Sequence, residues 1–581
     1  MTKRLKNKIL TAFPVLKNEK FSKRVSYIVC ILCFVITMAV SLKYFFPLDC
    51  WIIGDDSAYH YLRVDALFHK LKTHDFFNGG IDYLYCNGAG YASSTAYPDL
   101  FLYIPAFLRL IGINFAESMF IFVLLCSAAS YFSMFFLVEK ITGSMTGGSI
   151  AGILYTFLFY RMDNIYFRFA LGEVEAYIFW PVVLLGLYDF IFKDFKKPYI
   201  LCIGLSGMLM AHLISAAEAL GVCVLVSLIC LPRILKKPKK LIVLAASAGC
   251  TLALTAYFWI PLIEFLTSGE FTVSHPLWKS EDCTVNILDL FRDSKINGSG
   301  ILFFILWLPR VFITHKSPVY QEMRNEDESD DEKPVLLACA DVFMILGLII
   351  CFLITDKAPW KLLRYVLNFM QFPWRMYAPA GTLIVFSGAV YLSALLKHTN
   401  VKNRGLLAVL AISVLTAVVH MEPFEIGRCP IDDNYFTGER SFYVGVGEWY
   451  PCKAKENIDE MTYHSDKVIT DNGNEIAFER HNGTLTFETG ENEYQYADIP
   501  YICYKGYKAT DSSGKELRQE MNDHGMIRVD LTDAAEGTVT VKHHLTPVRI
   551  CAYILSALSV VFIALFFIKN LIKRKEKPDK K

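Results

Sequence analysis

The stretch WIIGDDSAYHYLRV carries Asp55, Asp56, His60 and Arg63, side chains that together can move a proton and hold an anion. A carboxylate can accept the proton of a hydroxyl, an imidazole can orient it, and a guanidinium can grip a phosphate. A helix starting after Gly54 would set Asp56, His60 and Arg63 at i, i+4 and i+7 on one face. The same residues also have a structural use. Asp55 or Asp56 can cap the free N–H groups of that helix, with Arg63 making a surface contact. Taken alone, the segment favours the cap.

Other charged segments shift the balance. YRMDNIYFRFALGEVEAYIFWP supplies Arg161, Asp163, Arg168, Glu173 and Glu175, and MAHLISAAE supplies His212 and Glu218. FTVSHPLW holds His275 and Trp278, and APWKLLRYVLNFMQFPWRMYAP holds Lys361, Arg364, Gln371, Trp374 and Arg375. GEWYP adds Glu448. These segments lie between long apolar runs, and a charge beside hydrocarbon costs ~2.5–3.5 kcal/mol on insertion scales. A shared polar cavity at one membrane face is the simplest reason for several loops to bear that cost.

The elements that must position these residues are apolar helices. Of 581 residues, 54% are hydrophobic and 20% charged, too apolar for a soluble chain of this length. Runs at Val25–Leu42, Ser118–Val138, Ile141–Tyr160, Leu241–Ile263, Met376–Leu396 and Ile550–Ile568 approach or exceed the ~20 residues of a membrane span. Weaker runs lie at 175–192, 199–217, 217–232, 299–314, 334–355 and 405–421. The expected fold is an α-helical polytopic membrane protein with about twelve spans. The first run has no small-residue cleavage site and reads as a retained helix.

The net charge of +1 says little, but its distribution sets a topology. Lys and Arg crowd both ends of the chain and recur at 193–197, 233–240 and 397–404. Basic short loops mark the cytoplasmic face, so both termini are expected inside. This holds if segment 97–112, with Pro105 and Arg109 inside it, is an interfacial helix and not a span. The expected division is then a transmembrane domain over 1–421 with a large outer loop at about 47–116, an extracytoplasmic domain over 422–546, and a final helix with a basic tail over 547–581. The acidic run Glu326–Glu332 falls in a cytoplasmic loop as a solvated face.

Segment 422–546 is polar and broken by the turn pairs Asn472-Gly473, Asn482-Gly483 and Ser513-Gly514. Short alternating runs between them suggest a small β-sandwich. Of sixteen cysteines, ten fall in or beside helices as small apolar residues. Cys429 and Cys452 could close a bridge. No two CxxC motifs stand at zinc-site spacing, so no structural metal site is expected, and no cofactor motif is seen; a divalent cation stays open.

The chain resembles the GT-C superfamily of membrane glycosyltransferases, and within it bacterial membrane proteins related by name to 6-pyruvoyl-tetrahydropterin synthase and YfhO. The resemblance rests on Gly54–His60 with Arg63, Tyr97-Pro98, Arg168–Glu173, Ala211-His212, Gln371–Arg375 and Gly447–Pro451. It implies transfer of a sugar from a polyprenyl-phosphate donor to an acceptor outside the cytoplasm. It also implies that a first-loop carboxylate serves the acceptor hydroxyl, here Asp56 with Asp55 as competitor and His60 beside them. Arg63, Arg168, Glu173, His212, Gln371, Trp374, Arg375 and Glu448 would bind substrate. The bilayer, the lipid-linked sugar and the acceptor are the expected partners, with no nucleic acid. The soluble zinc enzyme implied by the pterin name needs a three-histidine cluster that the chain lacks. A lipid or solute transporter is the alternative, and it would call for broken helices and polar groups at the bilayer midplane. A scaffold that only displays the β domain would not need these charges together.

Overall fold

The computed structural model describes residues 19–48, 50–75, 79–275, 277–291, 305–314, 334–398, 426–430, 445–490 and 494–575. The expected span at 405–421, the run Glu326–Glu332 and the outermost basic residues of both ends lie outside these, as does 299–304.

Among the described residues, five helices are long and apolar enough to cross a membrane: Phe115–Thr142, Leu171–Phe192, Leu336–Leu353, Pro373–Leu396 and Pro547–Lys569. Lys239–Leu254 and Ala256–Leu266 would make a sixth, bent by 70° between them. The molecule is therefore mostly helical, with the apolar helices of a multi-pass membrane protein. Five or six such helices stand where about twelve spans were expected. Part of the difference lies outside the described residues, and part arises where apolar runs are divided or short. Run 141–160 becomes Met145–Thr156 and Phe159–Tyr166, and the first of these rises only about 18 Å. Run 199–232 breaks at His212, not at 217, because the His212 Nδ1 accepts the Ser215 N–H at 3.3 Å and caps the helix Leu213–Ile229.

Local chemistry explains the longest helix well. Asn114 accepts the Glu117 N–H at 2.8 Å at its start, and Gly143 ends it at φ 69°. That left-handed cap is open to glycine without the Cβ penalty. Segment 97–112 forms the apolar helical stretch Leu100–Leu110, which covers about 16 Å, half the hydrocarbon core.

Beyond the helices, strand β1 (Cys50–Ile53) pairs with β2 (Gly427–Pro430), which ties the first loop to the segment before the β domain. Strands β3 (Val468–Thr470), β4 (Glu475–Ile476), β7 (Tyr496–Ile502), β10 (Gln519–Met521) and β11 (Met526–Asp530) form one antiparallel sheet in the order β10-β11-β7-β3-β4. Strands β5 (Phe478–His481), β6 (Thr484–Thr489), β8 (Tyr507–Thr510), β9 (Glu516–Leu517) and β12 (Gly537–His543) form a second, in the order β5-β6-β12-β8-β9. Alternate residues such as Leu485 and Phe487 on β6 and Val539 and Val541 on β12 are buried in one apolar cluster. That cluster also takes in Tyr85, Cys86, Ala89 and Tyr91 of the first loop. The Ile502 N–H donates to the Ala89 carbonyl at 3.0 Å, so loop and sheets share a core. Cys429 and Cys452 are free thiols, so the possible bridge between them is not formed. Cys429 lies opposite Trp51 in the two-stranded ladder, and Cys452 opens the short helix Cys452–Glu456.

Candidate active site

The Gly54-Asp55-Asp56 turn docks on the loop that follows the helix Phe159–Tyr166. The Asp55 N–H donates to the Phe167 carbonyl at 3.2 Å and the Asp56 N–H to the Arg168 carbonyl at 2.8 Å. Gly54 makes this approach feasible, since a Cβ there would lie 2.5 Å from the Phe167 oxygen. Gly172 does the same for a second pair of segments, with the Tyr97 hydroxyl and the Ala211 carbonyl against it.

The helix Ser57–Thr73 begins where the sequence places it, but the cap differs. Asp56 occupies the capping position with no side-chain capping bond, while Ser57 Oγ accepts the Gly54 N–H at 3.1 Å. The Asp56 carboxylate is thereby free to face Arg168, whose Nη2 lies 3.6 Å away. Arg63 also departs from the surface contact considered above. It is buried, donates to the Pro98 carbonyl and pairs with Asp99, both at 2.6 Å, and lies 4.3 Å over the Tyr97 ring. Its Nη1 is 3.3 Å from His60 Nδ1. Burial and the Arg63 charge hold His60 well below the usual histidine range, so its imidazole is neutral at physiological pH.

Beneath Asp56 lies a buried polar network centred on Glu173, in the first turn of Leu171–Phe192, where the helix dipole favours a carboxylate. Arg168 Nη1 donates to Glu173 Oε1 at 2.8 Å, and Arg375 Nε to the same oxygen at 3.2 Å. Tyr160 donates to Oε2 at 2.5 Å and Asn164 at 3.2 Å. Arg168 Nη1 also bonds the Tyr160 hydroxyl and Asn164 Oδ1, both at 2.8 Å. Two guanidinium groups thus share one buried carboxylate, with Asp56 as the second anion.

Strained backbone marks both arginine-bearing turns. Phe169 sits at φ 55° and Gln371 at φ 63°, ψ −55°. At Gln371 the Phe372 N–H reaches the Met370 carbonyl at 2.6 Å, a γ-turn. This turn lets Arg375 Nη1 bond Met370 O at 3.1 Å and Gln371 Oε1 at 2.8 Å. Such conformations persist where the surroundings over-determine them, and they cluster at functional sites.

Asp56 keeps 42% of its side chain exposed, against 4% for Glu173 and 7% for Arg168. Burial by the surrounding protein raises its carboxyl above the usual aspartate value, while Arg168 and then Arg375 pull it down. Asp55 is exposed and, among the described residues, forms no ion pair with the network. Burial raises Glu448 as well, and the Asp56 charge adds to the rise, so Glu448 lies within electrostatic reach of that carboxylate. Trp449 ties that turn to the first loop, its Nε1 3.3 Å from the Tyr59 hydroxyl.

The structure therefore gathers Asp56, Arg168, Glu173, Gln371 and Arg375 into one site, with Glu448 within electrostatic reach of it. His60, Arg63 and His212 form a second tier around Tyr97, whose ring centroid is 5.9 Å from each imidazole. Trp374 stacks on Phe372 at 4.5 Å, which in turn meets Trp278, making an aromatic shelf beside Arg375. Tyr160, Asn164 and Asp99 are the residues that sequence reasoning missed. The i, i+4 spacing of Tyr160 and Asn164, continued by Arg168, was the signal for two of them. Among the described residues, no three His, Cys, Asp or Glu side chains converge as a metal-binding group.

No family model matches the sequence. A protein of Lactococcus lactis subsp. cremoris (strain MG1363), whose name states no activity, is 27% identical over 230 residues, 38% of this chain and 37% of its own. Among solved structures, the arabinofuranosyltransferase AftD from Mycobacteria is similar at TM-score 0.44 and 12% identity, over 90% of this chain and 40% of that one. ArnT from Cupriavidus metallidurans, bound to undecaprenyl phosphate, is similar at TM-score 0.35 and 12% identity, over 76% and 71% of the two chains. The Archaeoglobus fulgidus oligosaccharyltransferase, in the apo form, is similar at 0.31 and 14%, over 68% and 55%. The chain thus spans well under half the length of the Lactococcus protein and of AftD.

Proposed function

We propose that this chain is a GT-C-type membrane glycosyltransferase that moves a sugar from a polyprenyl-phosphate donor to an acceptor outside the cytoplasm. The observation that carries this reading is the half-exposed Asp56 carboxylate set over the buried Arg168–Glu173–Arg375 network. Asp56 takes the proton of the acceptor hydroxyl as that oxygen attacks the sugar's anomeric carbon. The bond from that carbon to the donor phosphate breaks, and the phosphate leaves with the electron pair. Arg375 and Arg168 hold the phosphate as its charge grows, with Gln371 and Trp374 beside it and Glu448 facing the acceptor side. Neutral His60 and His212, with Arg63, support the loop from behind. The direct test is incubation of the purified protein in lipid with polyprenyl-phosphate sugars and candidate acceptors, reading release of the lipid phosphate.

Two further outcomes bear on the roles. Arg375→Lys keeps the charge but loses the forked donor geometry, so binding of a polyprenyl-phosphate analogue should weaken. Unchanged binding would remove Arg375 from the donor site. The acid limb of kcat/KM should lie above the usual aspartate value, because transfer needs ionised Asp56 and burial raises its carboxyl. Activity is then gained as pH rises through that limb. Arg375→Gln removes a cation that lowers the Asp56 value, so the limb should move to higher pH. A limb that stays put in this variant argues against Asp56 as the titrating base.

In this reading the first loop and the two sheets lie outside and both termini inside. Single cysteines at exposed Lys72 and Glu475 should react with an impermeant maleimide added to cells, above the native-cysteine background. Cysteines at exposed Lys196 and Lys237 should react only after permeabilisation. Labelling of position 196 from outside would reverse the assignment.

The broken helices favour a second reading, a lipid or solute transporter. The 70° bend beside Thr255 and the break at His212 put irregular backbone within apolar segments, and Glu218 Oε1 is buried there without a hydrogen-bond partner among the described residues. Substrate flux in proteoliposomes without release of lipid phosphate would decide for it.

A further inference from the structure

A second polar cavity, of about 200 Å³, lies where the helix Ser57–Thr73, the short helix Ser93–Ala96, the arm Ala256–Leu266 and the start of the last helix meet. Lys70, Ser94, Thr95, Tyr103, Tyr257 and Arg549 line it, and it shares no residue with the Asp56–Arg168–Glu173–Arg375 network.

The charges around this cavity do not cancel. Lys70 is paired with Asp82 and donates to Ser94 Oγ at 2.9 Å. Asp99, on the cavity wall, is taken up by Arg63. Arg549 is buried, with 5% exposure, and its guanidinium is held by neutral groups, the Gly79 carbonyl, Thr95 Oγ1 and the Tyr553 hydroxyl. Glu264 on the facing helix is held by Lys505 at 3.1 Å and by the Thr546 hydroxyl at 2.6 Å. Among the described residues, Arg549 forms no ion pair. Glu264 acts on Arg549 only at a distance and is shared with Lys505, and a buried guanidinium without a direct counter-ion is unfavourable unless something anionic approaches it.

A second observation points the same way. The Tyr257 hydroxyl, on the same wall, is buried and has no hydrogen-bond partner among the described residues. Buried polar groups are nearly always satisfied, and an orphaned donor in a cavity fits a ligand with acceptor oxygens. The flanks are apolar and open to the outside. Leu100, Ile104 and Phe107 are exposed on one side, and Ile550 and Ile554 of the last helix on another.

We propose that this cavity binds the phosphate of an anionic lipid. Arg549 faces the phosphate charge, Tyr257 donates its hydroxyl to a phosphate oxygen, and the chains run along the exposed apolar flanks. The shared chemistry is the phosphate, and inorganic phosphate could present it without a lipid.

The test uses the full chain in detergent, with binding read by native mass spectrometry. The probes are phosphatidic acid, diacylglycerol with the same chains, and inorganic phosphate. Phosphatidic acid should bind at least about 10-fold more tightly than diacylglycerol, because charge-assisted bonds to phosphate are the strong ones. Arg549→Gln should remove most of that preference. Tyr257→Phe should weaken phosphatidic acid at least about 10-fold, the size of one hydrogen bond to a charged group, at an unchanged unfolding temperature. The Tyr257 hydroxyl has no internal bond to lose, so this variant decides the matter even where Arg549→Gln fails to fold. Inorganic phosphate bound at millimolar concentration with the same Tyr257 dependence would keep the phosphate site and assign it to a soluble ligand. Wild-type affinity for phosphatidic acid in Tyr257→Phe, or no preference over diacylglycerol in the native chain, would overturn the proposal.

Discussion

Asp56→Asn is expected to leave a folded, donor-binding protein that has lost about 10²–10⁴-fold in transfer rate, the usual contribution of a positioned general base. A sugar hydroxyl is a weak nucleophile at neutral pH, and a carboxylate that accepts its proton acts as the new bond forms. A phosphate leaving group needs little acid assistance, so one base and a cationic grip suffice. The structure explains why the variant should fold. Asp56 makes no capping bond, stands 3.6 Å from Arg168 and is 42% exposed, so its pairing contributes about 1 kcal/mol or less. Asp55→Asn should be milder, since Asp55 is exposed and, among the described residues, forms no ion pair with the network. Product formation by the purified variants in lipid, with unfolding temperature measured alongside, separates the two. Loss in Asp55→Asn with retention in Asp56→Asn would move the base one residue earlier. Retention in both would make the first-loop carboxylates structural.

Glu173→Gln should be costly for the opposite reason. Glu173 is the anion that both Arg168 and Arg375 grip, and four side chains converge on its two oxygens. Breaking a buried ion pair by removing one partner typically costs about 3–5 kcal/mol, because the other charge stays buried without compensation. Here two charges are left, with only the more distant Asp56 facing Arg168. The unfolding temperature in detergent should fall sharply and activity with it. A double variant, Glu173→Gln with Arg375→Gln, should lose less than the sum of the two single losses, since groups in one network are strongly coupled. Wild-type stability in Glu173→Gln would show that the arginines find other partners and that the network does not organise the site.

Much of this site was legible because it is built from short segments with distinct chemistry. Asp56, Arg168, Glu173, Gln371 and Arg375 each stand in a polar stretch between apolar runs, and the burden of charge beside hydrocarbon implied a common cavity. The spacing of the first-loop segment suited a helix starting after Gly54, and the helix Ser57–Thr73 begins there. Its cap was not legible, because Asp and Ser are both good caps and only the docking of Gly54 on Phe167 turns Asp56 away. The burial of Arg63 against Asp99 was not legible, because Asp99 lies 36 residues on, in a segment read for length and hydrophobicity only. Helix ends were the weakest part. An apolar run such as 199–232 gives no sign of a break, and His212 makes one only through its side-chain bond to the Ser215 N–H. The sharing of a core between residues 79–91 and the two sheets was likewise invisible, since contacts across some 400 residues leave no local pattern.

The most direct measurement of the central claim is mass spectrometry of cell-surface glycans and lipid-linked sugars from cells with the gene, without it, and complemented with wild-type or Asp56→Asn protein. Loss of a glycan residue, with build-up of the matching polyprenyl-linked sugar, reversed by the wild type and not by Asp56→Asn, is the expected result. Unchanged glycans and lipid-linked sugars without the gene, or full restoration by Asp56→Asn, would contradict the account.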